Sequence, residues 1–170
     1  MPLTPAPNLY NGVFQLAYVT NDLDQAITTY REQYGVARFV SIQSSLEAST
    51  PEGVKSARLS VAFGHIGETQ IELIQPIEGN LTLYADALPG GPAFALRFHH
   101  VGCRLRDRGQ WDAFRAGLDP RKHRIALESR LAEHESHYLY LDEHARLGHY
   151  LEYMWLDATA SAFFDTIPRN

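Results

Sequence analysis

The chain has 170 residues, 45% hydrophobic and 21% charged, which suits one compact domain or two small halves sharing a core. A net charge of −5, from 15 Lys+Arg against 20 Asp+Glu, leaves no basic footprint for nucleic acid or an anionic membrane, and points to a small-molecule partner. The single cysteine, Cys103, excludes a disulfide framework and a cysteine-rich zinc site.

No apolar run approaches the ~18 residues of a membrane span, and Met1 to Asn11 lack the pattern of a signal peptide. A cytoplasmic, reducing setting is the expectation, with Cys103 as a buried structural thiol.

In chain order, Val13 to Val19 is an apolar strand, and Thr20-Asn21-Asp22 supplies helix-capping side chains, with Gln25 three residues beyond Asp22. Leu23, Ala26, Ile27, Tyr30 and Tyr34 then fall on one helical face, closed by Gly35. Strand-like segments follow at about 38–43, 55–63 and 69–75, the last ended by Pro76. The connector from Glu78 to Ala95 carries Pro89-Gly90-Gly91-Pro92, the strongest linker signal in the chain.

After the connector the pattern restarts. Phe98 to Leu105 reads as a strand, and Asp107 stands where Asp22 stood. Trp111, Phe114 and Leu118 form a shorter helical stripe. Arg121-Lys122-His123-Arg124 reads as an exposed turn after Asp119-Pro120. Strands are expected at 124–131, 137–141 and 150–156, with a polar loop from Asp142 to Gly148 and a short helix in the tail from Ala158. The expected class is therefore α+β: two βαβββ modules, about 12–78 and 96–157, with a tail at 158–170, in one domain. The repeat can be checked by counting. Gln15 to Asp22 and His100 to Asp107 are both seven residues, while Gln15 to Glu72 is 57 and His100 to Glu152 is 52. A unit too small to bury its own sheet must pack against its copy.

Gln15, Glu72, His100 and Glu152 each interrupt an apolar strand, and each module supplies one from its first strand and one from its last. A lone Gln or His in a strand is ordinarily a satisfied or solvent-facing polar group. Two glutamates at one position of a repeat are different, because a carboxylate among apolar neighbours is costly unless paired, hydrogen-bonded or bound to metal. Curling the sheets together brings all four to one centre. One imidazole, two carboxylates and an amide oxygen suit a divalent ion among Zn, Ni, Co, Mn and Fe, with positions left for substrate. By strand alternation, His99 and His149 are expected to face away from this centre, and at most one of His137 and Tyr140 to face it.

The segments "FQLAYVTNDLDQAITTY", "TQIELIQP", "FHHVGCRLRD" and "LGHYLEYMWL" resemble the vicinal oxygen chelate superfamily, including glyoxalase I-like members, over about Phe14 to Leu156. The resemblance implies Gln15, Glu72, His100 and Glu152 as metal ligands, with Glu152 as first candidate base and Glu72 as second. "EASTPEGV" is similar to the segment of methylmalonyl-CoA epimerase that carries a catalytic glutamate, which makes Glu47 a weaker third. The implied activity is a metal-dependent lyase, isomerase or epimerase that takes a proton beside a chelated carbonyl. Two alternatives stay open: a ring-cleaving Fe(II) dioxygenase, or a non-catalytic small-molecule binder of the resistance type. Open curved sheets would leave edges and an apolar flank, so a homodimer is expected, with Phe163-Phe164 helping to bury it.

Overall fold

The computed structural model describes residues 11–131 and 134–170; apart from Asn11, the segment examined for a signal peptide lies outside them. The first module runs β1 (Val13–Thr20), α1 (Leu23–Tyr34), β2 (Val40–Thr50), β3 (Gly53–Ile66) and β4 (Thr69–Gly79). The second runs β5 (Leu96–Leu105), α2 (Arg108–Gly117), β6 (Ile125–Arg130), β7 (His137–Asp142), α3 (His144–Leu147) and β8 (Tyr150–Trp155), and α4 (Ala158–Asp165) follows. Both module helices begin as their sequences dictate. The Asp22 carboxylate accepts the Gln25 N–H at 2.9 Å, and Asp107 accepts that of Gln110 at 2.8 Å. Gly35, at φ 74°, closes α1 in the left-handed region. Leu23, Ala26, Ile27 and Tyr30 are buried, whereas Tyr34, at the helix end, is exposed and rests its ring on Tyr30.

The eight strands close into a mixed barrel in the order β1-β4-β3-β2-β6-β7-β8-β5. β1 pairs parallel with β4, β5 pairs parallel with β8, and β1 meets β5 antiparallel at the join between modules. The opposite seam is short, Ala48 against Ser129 and Ser49 against Glu128, and it removes the open edges expected of two separate sheets. Edge exposure is therefore no argument for a dimer. Phe163 and Phe164 are also engaged within the chain, against Phe63 and Phe14.

Alternation sorts the apolar residues into three clusters. Ala17, Val19, Ile74, Leu127 and Met154 face the barrel interior. Leu16, Ile71 and Leu73 face α1; Val101, Cys103, Leu139 and Tyr153 face α2. Cys103 is fully buried, and burial pushes its thiol up to about 12, as suits a packing residue.

All three later strands of the first module are longer than their sequences suggest, β3 reaching from Gly53 to Ile66 where about 55–63 was expected. β2 continues to Thr50 and turns through Pro51-Glu52 into β3, so Glu47 is on a strand and not in a loop. β4 continues past Pro76 to Gly79, because the ladder with β3 shifts register between Arg58 and Leu59, beside the residue that cannot donate. The connector is more than a spacer: Leu81 and Tyr84 pack into the barrel interior. The basic run is a turn in which Arg121 pairs with Asp119. No helix among the described residues is long and apolar enough to cross a membrane.

Candidate metal centre

The join between β1 and β5 places the four polar residues. Leu16 stands opposite Val101, and about this pair the ladder is two-fold: Gln15 faces Gly102, and Ala17 faces His100. On the outer sides, Glu72 of β4 aligns with Ala17, and Glu152 of β8 aligns with Gly102. Two rows result, Glu72–Ala17–His100 and Gln15–Gly102–Glu152, all directed into the barrel. In each row a small residue separates two long polar ones. Their backbones lie two strand spacings apart, roughly 10 Å, and the small middle residue lets their side chains meet above it.

His100 Nε2 lies 3.3 Å from a Glu72 carboxylate oxygen and 3.1 Å from one of Glu152. One ligand atom from each of the three lies within 4.8 Å of the others. The His100 side chain is fully buried, and those of Glu72 and Glu152 are 13% and 7% exposed. Gln15 is fully buried and gives its amide N–H to Gln70 at 2.7 Å, which leaves its oxygen unengaged above Gly102. Gln15 Oε1 is buried without a hydrogen-bond partner, while the buried His100 Nε2 has Glu152 Oε2 and Glu72 within ion-pair reach. A buried, unengaged amide oxygen beside one imidazole and two buried carboxylates fits a divalent cation in both charge and ligand type. Burial disfavours charge on His100, but Glu152 and Glu72 outweigh it and push the pKa up to about 9. Burial also raises Glu72 above the usual carboxylate range, with His100 opposing the shift.

A cavity of about 400 Å³ adjoins the centre, lined by Gln15, Glu72 and Glu152 and walled by Leu59, Val61, Phe63, Met154 and Leu156. Glu72 and Glu152 are its only carboxylates among the described residues. Tyr140 also lines it, with its ring 4.8 Å from that of His100 and its hydroxyl 3.2 Å from the Tyr84 hydroxyl. Glu47 is not part of this centre. It is exposed between Leu46 and Ala48, both packed inward, so its side chain is on the barrel's outer face. Of the pair on β7, Tyr140 faces inward, while His137 stacks against Trp111 and Trp155 outside. His149 sits against Phe98, away from the centre.

His99 departs from the alternation rule. The β1–β5 register jumps from Ala17↔His100 to Tyr18↔Phe98, which makes His99 the extra residue of a β-bulge. The bulge turns its ring inward, where Nδ1 lies 2.9 Å from His100 Nδ1 and the ring stacks on Tyr84. A matching shift between Val13 and Gln15 makes Phe14 the extra residue before the other first-strand ligand. Gln70 was also legible in principle, because it precedes Glu72 by two residues and so shares its face.

Gly102 is the position most sensitive to a single methyl group. A Cβ there would stand 2.6 Å from Gln15 Oε1 and 2.9 Å from Gln15 Cβ. The oxygen can swing away, but the Cβ is fixed by the strand. Gly102→Ala should therefore cost about 1–3 kcal/mol in a denaturant melt of metal-free protein, despite the usual gain from removing a strand glycine, and should weaken metal binding. An unchanged or raised midpoint would show that Gln15 does not need this approach.

A family model described as the glyoxalase/bleomycin resistance protein/dioxygenase superfamily matches residues 14–137, which include Gln15, Glu72 and His100 but not Glu152. No curated protein sequence matches the chain significantly. Among solved structures, methylmalonyl-CoA epimerase from Mycobacterium tuberculosis is 18% identical, with TM-score 0.56 over 94% of this chain and 97% of that one. A variant of the Streptomyces coelicolor epimerase bound to 2-nitronate-propionyl-CoA is also 18% identical, with TM-score 0.58 over 87% and 99%. A hypothetical protein from Bacillus halodurans is 12% identical, with TM-score 0.54 over 87% and 96%. At these identities the likeness is one of fold.

Proposed function

The chain belongs to the glyoxalase/bleomycin resistance protein/dioxygenase superfamily, and on that premise we propose that it is a metal-dependent lyase, isomerase or epimerase that removes a proton beside a carbonyl of a small substrate. The observation that carries this reading is the convergence of Glu72, His100 and Glu152 beside a largely apolar cavity. Gln15, Glu72, His100 and Glu152 would hold the ion, one of Zn, Ni, Co, Mn or Fe. Bound there, it would supply Lewis-acid stabilisation of negative charge developing on a substrate oxygen.

The chain's own residues do the rest. Glu152 takes the proton, since it is a buried carboxylate that lines the cavity and is held, among the described residues, only by His100 at 3.1 Å. Glu72 and His100 hold the opposite side of the centre. Phe63, Met154 and Leu156 give the substrate an apolar wall that keeps bulk water from the carbon losing its proton. The ligand set, with one imidazole, suits this chemistry better than ring cleavage on two histidines and a glutamate. Two carboxylates facing a cavity are also costly in a mere binder of apolar molecules.

Metal-reconstituted protein should be screened against 2-oxo, 2-hydroxy and thioester compounds in D₂O. A turned-over compound should gain one deuterium at the carbon beside its carbonyl, read by mass spectrometry, only when metal is present. Turnover without deuterium uptake and with oxygen consumed would replace this reading by oxygenation.

A further inference from the structure

We propose that His99 is a positioning residue that fixes which nitrogen of His100 carries its proton. The proposal rests on the reading of His100 as a ligand. The two rings meet Nδ1 to Nδ1 at 2.9 Å, so one nitrogen must donate and the other accept. The far nitrogen of His99, Nε2, lies 3.4 Å from the Leu83 carbonyl, which accepts only. A neutral His99 therefore carries its hydrogen on Nε2 and presents a bare Nδ1 to its neighbour. His100 must then donate from Nδ1, so that Nε2, which faces Glu72 and Glu152, is the nitrogen that gives up its proton and turns its lone pair to an ion bound at the centre.

The surroundings hold His99 in this role. Its ring is 1% exposed, stacked on Tyr84 at 5.0 Å between centroids and flanked by Tyr140 and Tyr150. Leu83 and Tyr84 come from the connector between modules, so a segment that reads as a linker supplies both the carbonyl and the stacking face. The repeat gives an internal control. Phe14 holds the equivalent bulge before Gln15 and packs on Phe164, while the amide of Gln15 is oriented by Gln70. Each module thus orients its first-strand ligand with a separate buried partner. For a metal-bound imidazole, a partner on the remote ring nitrogen sets tautomer and ring orientation.

The test is a long-range ¹H–¹⁵N correlation spectrum of histidine-labelled protein, metal-free and loaded with Zn²⁺. His99 should appear as the Nε2–H tautomer in both, and His100 as the Nδ1–H tautomer in the loaded form. His99 protonated on Nδ1 instead would overturn the proposal. His100 resonances unmoved by Zn²⁺ would overturn the reading of His100 as a ligand, while the His99 tautomer is still read from the metal-free sample. As a second arm, His99→Phe keeps the stacking ring but loses the acceptor and should bind Zn²⁺ roughly 10–100-fold more weakly in chelator competition. His99→Gln restores an acceptor and should recover most of that affinity. Wild-type affinity in His99→Phe would also overturn the proposal. Should either variant fail to fold by circular dichroism, the wild-type tautomers decide.

Discussion

Glu152→Gln should leave the protein folded and able to bind a divalent ion with modestly reduced affinity, yet lower turnover by about 10²–10⁴-fold. The amide keeps an oxygen of similar reach above Gly102, so the ligand set changes by one charge and no volume. What it loses is basicity at a buried carboxylate that lines the cavity. The same change at Glu72 makes a close control. Glu72 lies across the two-fold from Glu152, with its carboxylate 3.3 Å from His100. Glu72→Gln should weaken metal binding to a similar extent and depress turnover far less. The measurement is kcat with metal saturating, so that occupancy and proton transfer are separated. Near-normal kcat in Glu152→Gln with collapse in Glu72→Gln would move the base across the two-fold, to the carboxylate whose pKa burial raises.

Much of this arrangement is legible in the residues because an internal repeat doubles every signal. Asp22 and Asp107 mark two helix starts, and both carboxylates cap their helices. Gln15, Glu72, His100 and Glu152 stand out because each breaks an apolar strand, and strand alternation then sends all four inward. β2 was harder to delimit. The strand expected at about 38–43 stops short because the stretch from Ser44 to Thr50 is rich in polar residues, although Leu46 and Ala48 continue the alternation toward the interior. Pro76 looks like a stop, but a register shift in the neighbouring ladder accommodates it.

His99 and Glu47 show where alternation stops being a guide. A bulge inserts one residue and reverses the facing of one side chain, and nothing in Phe98-His99-His100 announces it. Glu47 was a candidate by its segment's likeness to an epimerase; its strand parity sets it outside. Closure of the barrel depends on two residue pairs between β2 and β6, contacts between positions some 80 apart that local patterning cannot specify. The importance of Gly102 is likewise invisible until Gln15 is seen lying over it.

The central claim is that one divalent ion binds where His100 meets the two carboxylates. Chelator-stripped protein titrated with Co²⁺, followed by its visible absorption and by calorimetry, tests it most directly. Wild type should take up one ion per chain. His100→Ala, which removes the only nitrogen donor of the set, should weaken binding by more than the roughly 10–100-fold that losing an outer-shell partner costs, with its circular dichroism unchanged. Wild type that binds no ion, or His100→Ala that binds Co²⁺ with unchanged affinity and spectrum, would contradict the account.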